Sequence, residues 1–533
     1  MNQSAAALTA AENPPCAASR PLRAWEAVFL VLLVAGLLTA FWIKSRKEYF
    51  SHDEFVTAVL VGHSSLPEML DTIRNGGETN PPLYFILDWL VVRVCGTSEE
   101  AVRGLSAFSI ALAAVVVFFT LRPVVEPRNA ALAVAFVFGL SRSVFWFLVW
   151  ARYYGLFVLL AAVMFFLFVR INTTESVRRR DVLFIFLVHV AMVYLHLFGL
   201  LFSGLWLGAQ LVLDAVRGRG RWKIYGAVVA AWVTFLAWVP ALPKQFYITS
   251  GGTWTPRMKF GLFVDELAMQ TPLATVLLLT ALLALVTMLA PKRWEAGDKT
   301  NARAATGLAA LLLLALAWMA VPVATWAASQ ILKPVYLQRY VAPCVVSLAA
   351  FVGVGLWAIR KLPHPEPPSP NRVPAWLPGL VAATILGFCL AFQPLRAMQD
   401  AAKPAAAFTD EDFGHPNLPI VCEDSMDFLP RAHYGKGREY ILLIDHEAAE
   451  KSAGYFTKQM ERYYSRFRAH HPEWKIRYAN ELPAGPEGFL LVDVAQATTF
   501  EWVLKNRPGF TAELLGTWPE GQKVFLVRRE ERR

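Results

Sequence analysis

The stretch Ser51-His52-Asp53-Glu54-Phe55 sets two carboxylates and an imidazole side by side, just past the first long apolar run. Neighbouring acids can serve as a general base for a hydroxyl or as ligands for a cation. Acids also favour the first turn of a helix, so spacing alone leaves chemistry and helix capping both open. Two arginines lie beside tyrosines at the mouths of later apolar runs, in Trp150-Ala151-Arg152-Tyr153-Tyr154-Gly155 and Tyr336-Leu337-Gln338-Arg339-Tyr340. An arginine near hydrocarbon snorkels to the headgroups or takes an anionic partner, and its planar fork matches phosphate oxygens. Asn80-Pro81-Pro82-Leu83-Tyr84 opens a short helix with a rigid entry. His196 in Tyr194-Leu195-His196 reads as a hydrogen-bonded structural residue or as a ligand. Lys244-Gln245 belongs to a long aromatic loop, from Trp238 to Arg257, that could cover a cleft.

The elements that must carry these residues are membrane helices. The chain has 533 residues, 56% hydrophobic and only 17% charged, against about 25% charged for a soluble protein. Runs long enough to span, about 20 apolar residues, lie near 25–43, 101–121, 129–147, 153–170, 182–199, 200–216, 224–242, 268–290, 304–328, 340–359 and 375–396. The run 81–94 is too short at about 1.5 Å per residue and carries Asp88, so it is expected as a juxtamembrane helix. Skipping it lets the clusters at Arg122/Arg128, Arg170/Arg178–Arg180, Arg217–Lys223, Lys292–Arg303 and Arg360–Arg372 fall on one side. That alternation follows the positive-inside rule. About eleven spans with a cytoplasmic N-terminus and an outside C-terminus follow from it. The net charge of +10 is thereby explained by topology, with no nucleic acid required.

Residues 1–22 are Ala/Pro-rich and expected as a disordered cytoplasmic tail, residues 23–397 as the membrane domain with its outer loop 44–100, and residues 398–533 as an outside domain. In the last, Pro419–Glu423, Tyr440–Asp445, Lys475–Tyr478, Phe489–Asp493 and Lys523–Val527 read as buried strands, with polar helices such as Ala448–His470 between them, which predicts a small α/β domain. Pro363–Pro374 is expected as an extended linker. The five cysteines form no CxxC or Cys/His pattern, so neither a disulfide framework nor a structural zinc site follows.

Taken in order, the acidic pair, the Pro-Pro-Leu-Tyr helix, Arg103-Gly104-Leu105-Ser106-Ala107, Ala151–Tyr154, Leu195–Gly199, Trp238-Val239-Pro240 with Gln245, and Gln338-Arg339-Tyr340 resemble the polyprenyl-phosphate-dependent glycosyltransferases of superfamily C (GT-C), specifically the protein O-mannosyltransferase and lipid A aminoarabinose transferase group. The resemblance covers roughly residues 25–360. It implies a multi-pass protein of a bacterial inner membrane that moves a hexosyl or pentosyl unit from a lipid-linked donor to a protein hydroxyl, lipid or glycan at the outer face. It implies Asp53 as general base with inversion, and Glu54 beside it in the catalytic motif. It further implies a donor site of Arg152, Tyr154, Arg339, Tyr340, Asn80, Tyr84, Lys244, Gln245 and His196. A divalent metal held by His52, Glu54 and Glu78 is the accompanying cofactor expectation. Relatives carry His or Lys where this chain has Asn80, and aminoarabinose transferases place their glutamate one residue nearer the double proline than Glu78.

Two other readings stand beside it. A transporter or flippase for a lipid-linked sugar predicts polar residues along the middle of spans and Gly/Pro-broken helices in matching halves, whereas here the charges gather at one face. A partner-binding membrane protein would have its business in residues 398–533.

Overall fold

The computed structural model describes residues 21–174, 176–249, 257–270, 299–332, 334–361, 377–402, 410, 413–435, 437–451, 454–483, 485–519 and 521–529. The expected span 268–290 falls almost wholly outside them, as do the linker 363–374 and residues 1–20 of the expected tail. Elsewhere a helix forms on each expected run. Among the described residues seven helices are long and apolar enough to span, or eight if Pro127–Leu140 and Arg142–Val149, bent by 67° at Ser141, form one broken span. Arg179–Leu195 and Cys344–Lys361 are apolar but shorter, so the count of eleven is not reproduced.

Helix α1 (Ala24–Ser45) packs on α5 (Glu99–Val125), and α5 in turn lies along α8 (Tyr154–Thr173). Close approach of the last two needs Gly155: a Cβ there would stand 2.6 Å from the Ser106 carbonyl oxygen. Two arginines mark the ends of α5. Arg103 is buried against Glu54, and Arg122 pairs with buried Glu26 at 3.0 Å. They are nineteen residues apart, about 28 Å of helix, close to the thickness of a hydrocarbon core.

The segment between α1 and α5 begins with α2 (His52–Gly62) and α3 (Leu66–Thr72), then a π-type turn at Ile73–Gly77 with Gly76 at φ 99°. It continues through α4 (Leu83–Cys95), the expected juxtamembrane helix, which packs on α2 and α5. Beyond the last membrane helix, Leu377–Ala401, a six-stranded sheet forms from β1 (Ile420–Cys422), β2 (Tyr440–Ile444), β3 (Ile476–Tyr478), β4 (Gly485–Asp493), β5 (Phe510–Thr517) and β6 (Lys523–Arg529). Its order is β3-β2-β1-β4-β6-β5, parallel from β3 to β4 and antiparallel thereafter. Strand residues alternate between two cores. Val421, Leu443 and Leu491 face Phe500 and Val503, whereas Cys422, Leu442 and Val492 share the other face with Phe428, Tyr464 and Phe467. The five expected strands are present. β5 was not expected, because its exposed sequence FTAELLGT, with Glu513 and Gly516, lacks a clean alternation. The expected helix Ala448–His470 is two helices, His446–Lys451 and Tyr455–His470.

Candidate active site

The adjacent acids of α2 part ways. Ser51 precedes the helix, and the Glu54 carboxylate reaches back to accept from the Ser51 N–H at 2.9 Å, the reciprocal half of a capping box. Glu54 also accepts from Arg103 at 2.7 and 3.1 Å and from the Ala151 N–H at 3.0 Å. Arg103 spends its remaining donors on the carbonyls of Ser45, Glu48 and Tyr49. Both side chains are buried. Glu54 therefore ties α2, α5 and the turn before α8 into one unit, shut off from solvent.

Asp53, one residue earlier, is only part-buried. Its carboxylate is 30% exposed and meets Arg339 at 3.2 Å. The Arg339 guanidinium lies over the rings of Trp150 and Tyr340, at 5.4 and 5.9 Å, and the Trp150 indole donates to Ser51 Oγ at 2.9 Å. His52 Nδ1 stands 3.7 Å from the other Asp53 oxygen. Its Nε2 is within hydrogen-bond distance of Ser425 Oγ (2.9 Å) and Tyr464 OH (3.0 Å), so the sheet domain touches the acidic strip directly. Burial opposes ionisation of Asp53, but the adjacent His52 imidazole and the charges of Arg152 and Arg339 outweigh it and hold the carboxyl well below the usual range.

Arg152 is buried and serves a different acid. It pairs with Glu78 at 2.9 Å and donates to Thr57 Oγ1 and to the Asp53 carbonyl. Its Nε has no acceptor among the described residues. The second Glu78 oxygen accepts from Thr79 and Asn80, and Asn80 Nδ2 donates onward to Tyr153 OH at 2.9 Å. Gln245, fully buried, donates to the carbonyls of Ile73 and Asn80. Tyr84 OH meets Ser106, whose hydroxyl donates to the Arg152 carbonyl. Tyr154 is buried against Trp150, and His196 is buried between Tyr153 and Tyr340. The structure thus gathers ten of the eleven candidates for catalysis and donor binding into one end of the bundle. Lys244 stands apart: it is exposed and bonds Asn75 at 2.7 Å.

His52, Glu54 and Glu78, the expected metal ligands, do not fit a cation. The two glutamates have their oxygens committed to arginines and backbone donors, and the three side chains form no common cluster. Among the described residues the one such grouping is Glu423, Asp493 and Glu501, in the sheet domain. A surface cavity of about 490 Å³ at the far end of α2, lined by His63, Glu68 and His471, contains none of the candidate residues.

Sequence reasoning assigned no role to Arg103, Trp150, Ser425 or Tyr464. The S-x-x-E spacing of Ser51 and Glu54 was a signal for the cap, and a lone arginine entering an apolar helix implies a buried acid. Nothing local marks Ser425 or Tyr464.

No protein-family model matches the chain, and no curated protein matches it. Solved structures do. The chain superposes on apo ArnT from Cupriavidus metallidurans with a TM-score of 0.58 at 13% identity, covering 94% of this chain and 97% of that one. The same enzyme bound to undecaprenyl phosphate gives 0.53 at 14% identity, with 94% and 98% covered. The chain therefore shares the fold of ArnT over nearly its whole length, as the resemblance of the ordered motifs implied.

Proposed function

We propose that this chain is an integral membrane glycosyltransferase that moves a hexosyl or pentosyl unit from a polyprenyl-phosphate donor to a hydroxyl of a protein, lipid or glycan acceptor. The observation that carries the reading is the Asp53–Arg339 pair, 3.2 Å apart and part-exposed at one end of an ArnT-like bundle. A neighbour in that fold binds undecaprenyl phosphate, and a guanidinium on an aromatic floor is suited to a phosphate of that kind. The end of α5 that carries Arg103 then faces outward, with residues 398–533, at the outer surface of a bacterial inner membrane. The N-terminus and the clusters near Arg122, Arg170 and Arg217 face the cytoplasm.

The acceptor O–H gives its proton to Asp53. Its oxygen forms a bond to the anomeric carbon as the bond from that carbon to the phosphate oxygen breaks, with inversion. The electron pair leaves on the polyprenyl phosphate, where Arg339 meets the growing charge. A carboxyl held ionised by arginines is a weak base. The donor phosphate answers this by drawing Arg339 toward itself, so that Asp53 becomes more basic when a donor is in place. Arg152, locked to Glu78, sets the local field and holds the backbone of Asp53.

The test is transfer from a radiolabelled polyprenyl-phosphate sugar by purified protein, wild type beside Asp53→Asn, with donor binding measured separately. Loss of transfer with donor binding kept supports the reading. Transfer that survives Asp53→Asn removes the base, and donor movement across the bilayer without transfer would make the protein a transporter.

A further inference from the structure

The sheet domain carries a second acidic cluster, built unlike the first. The chain runs β1, β2, β3 toward one edge of the sheet and then returns to place β4 on the other side of β1. In such sheets ligands bind outside the carboxyl ends of the strands at the point where the order reverses. Here that point lies between β1 and β4, where Cys422 pairs with Val492. The next residue on each strand is an acid, Glu423 and Asp493. The helix that follows β4, Thr499–Asn506, adds Glu501 from its first turn. One carboxylate oxygen from each of the three lies within 4.8 Å of the others.

Their partners do not account for them. Glu423 is 1% exposed; one oxygen accepts from the Phe500 N–H at 2.6 Å, and Oε2 is buried with no hydrogen-bond partner. Oδ1 of Asp493 is likewise buried and unpartnered. Lys523, opposite Asp493 in the β4–β6 register, is exposed and, though its charge acts on Glu501, lies beyond ion-pair distance of all three. A buried carboxylate oxygen without a donor costs folding free energy, and two such oxygens side by side call for a cation or a shared proton between them.

We propose that Glu423, Asp493 and Glu501 hold a hard divalent cation of the Ca²⁺ class at this switch point. An all-oxygen, three-carboxylate set suits Ca²⁺, Mg²⁺ or Mn²⁺ rather than a thiophilic metal. The position gives the ion a structural consequence. Glu423 is two residues from Ser425, whose hydroxyl meets His52, and Asp424 between them caps helix Ser425–Tyr434 through the Met426 N–H. An ion on Glu423 braces the loop that the sheet domain presses against the acidic strip. This inference does not depend on the proposed transfer reaction.

Chelator-treated full-length protein in detergent is titrated with Ca²⁺, and separately with Mg²⁺ and Mn²⁺, while the apparent Tm is followed by intrinsic fluorescence. Wild type gains Tm with added ion. In Glu501→Gln, on the exposed helix face, and in Asp493→Asn the midpoint moves to about tenfold higher Ca²⁺ or more. Glu423→Gln loses the response, and Glu501→Gln still decides the matter if that buried variant fails to fold. The proposal is overturned by a wild-type Tm indifferent to all three ions, or by a midpoint unchanged in Glu501→Gln and Asp493→Asn. A Glu423→Gln protein that is more stable than an ion-indifferent wild type would show a proton shared between Glu423 and Asp493 instead.

Discussion

Asp53 and Glu54 are adjacent in sequence and each faces an arginine, yet the two pairs live in different surroundings. Glu54–Arg103 is sealed: every guanidinium N–H has an acceptor, and the carboxylate also takes two backbone donors. Asp53–Arg339 is part-exposed on an aromatic floor, 30% and 23% open. A closed pair holds three segments of chain together. An open pair can trade its partner for a substrate, which is what a phosphate donor and a hydroxyl acceptor require. Ion pairing by itself does not mark function; access to the pair does.

That contrast can be broken or sharpened by experiment. The largest effect on activity is expected from Asp53→Asn, a fall in transfer of about a hundred- to ten-thousandfold, with the wild-type thermal midpoint retained. Arg103→Ala should act the opposite way. It strands a buried carboxylate and costs about 3–5 kcal/mol of stability, read as a lower Tm and poorer membrane yield. Arg339→Ala should weaken donor binding by about ten- to a hundredfold, the scale of a lost charge-assisted hydrogen bond, measured by binding of the labelled donor. Equal donor affinity in Arg339→Ala would end its assignment to the phosphate.

The same variant tests the pH argument. The Asp53 carboxyl lies below its unfolded value of about 3.9. Its pairing therefore contributes stability that is present above about pH 4 and is lost as pH falls through the depressed value. Removing Arg339 raises the Asp53 pKa, so the acid limb of kcat/KM should move to higher pH. An unmoved limb would show that another group titrates there. The smallest effect is expected from Ser425→Ala. It loosens His52 and should lower kcat several-fold, on the scale of about 1 kcal/mol per hydrogen bond, with donor affinity unchanged. A full loss of activity in Ser425→Ala would make the sheet domain part of the chemistry itself.

By itself the sequence determined the membrane class, the position of the described membrane helices, and the α/β character of the last segment. Those rest on apolar run length, cation alternation and short buried strands, all of which are local signals. It also singled out the residues that gather at one end of the bundle, because arginines and acids stand out in an apolar chain. What it could not give was which member of each set is sealed and which is open. Asp53 and Glu54 differ by one step along α2, about 100° of helix rotation. Only the packing of α5, the turn at Ala151 and the sheet domain decides which way each faces. The same holds for Arg152 and Arg339: alike in their Arg-Tyr setting, they are separated in role by Glu78, brought over some seventy residues of chain to bury one of them. Likewise the cluster of Glu423, Asp493 and Glu501 spans nearly eighty residues and exists only because β4 returns beside β1.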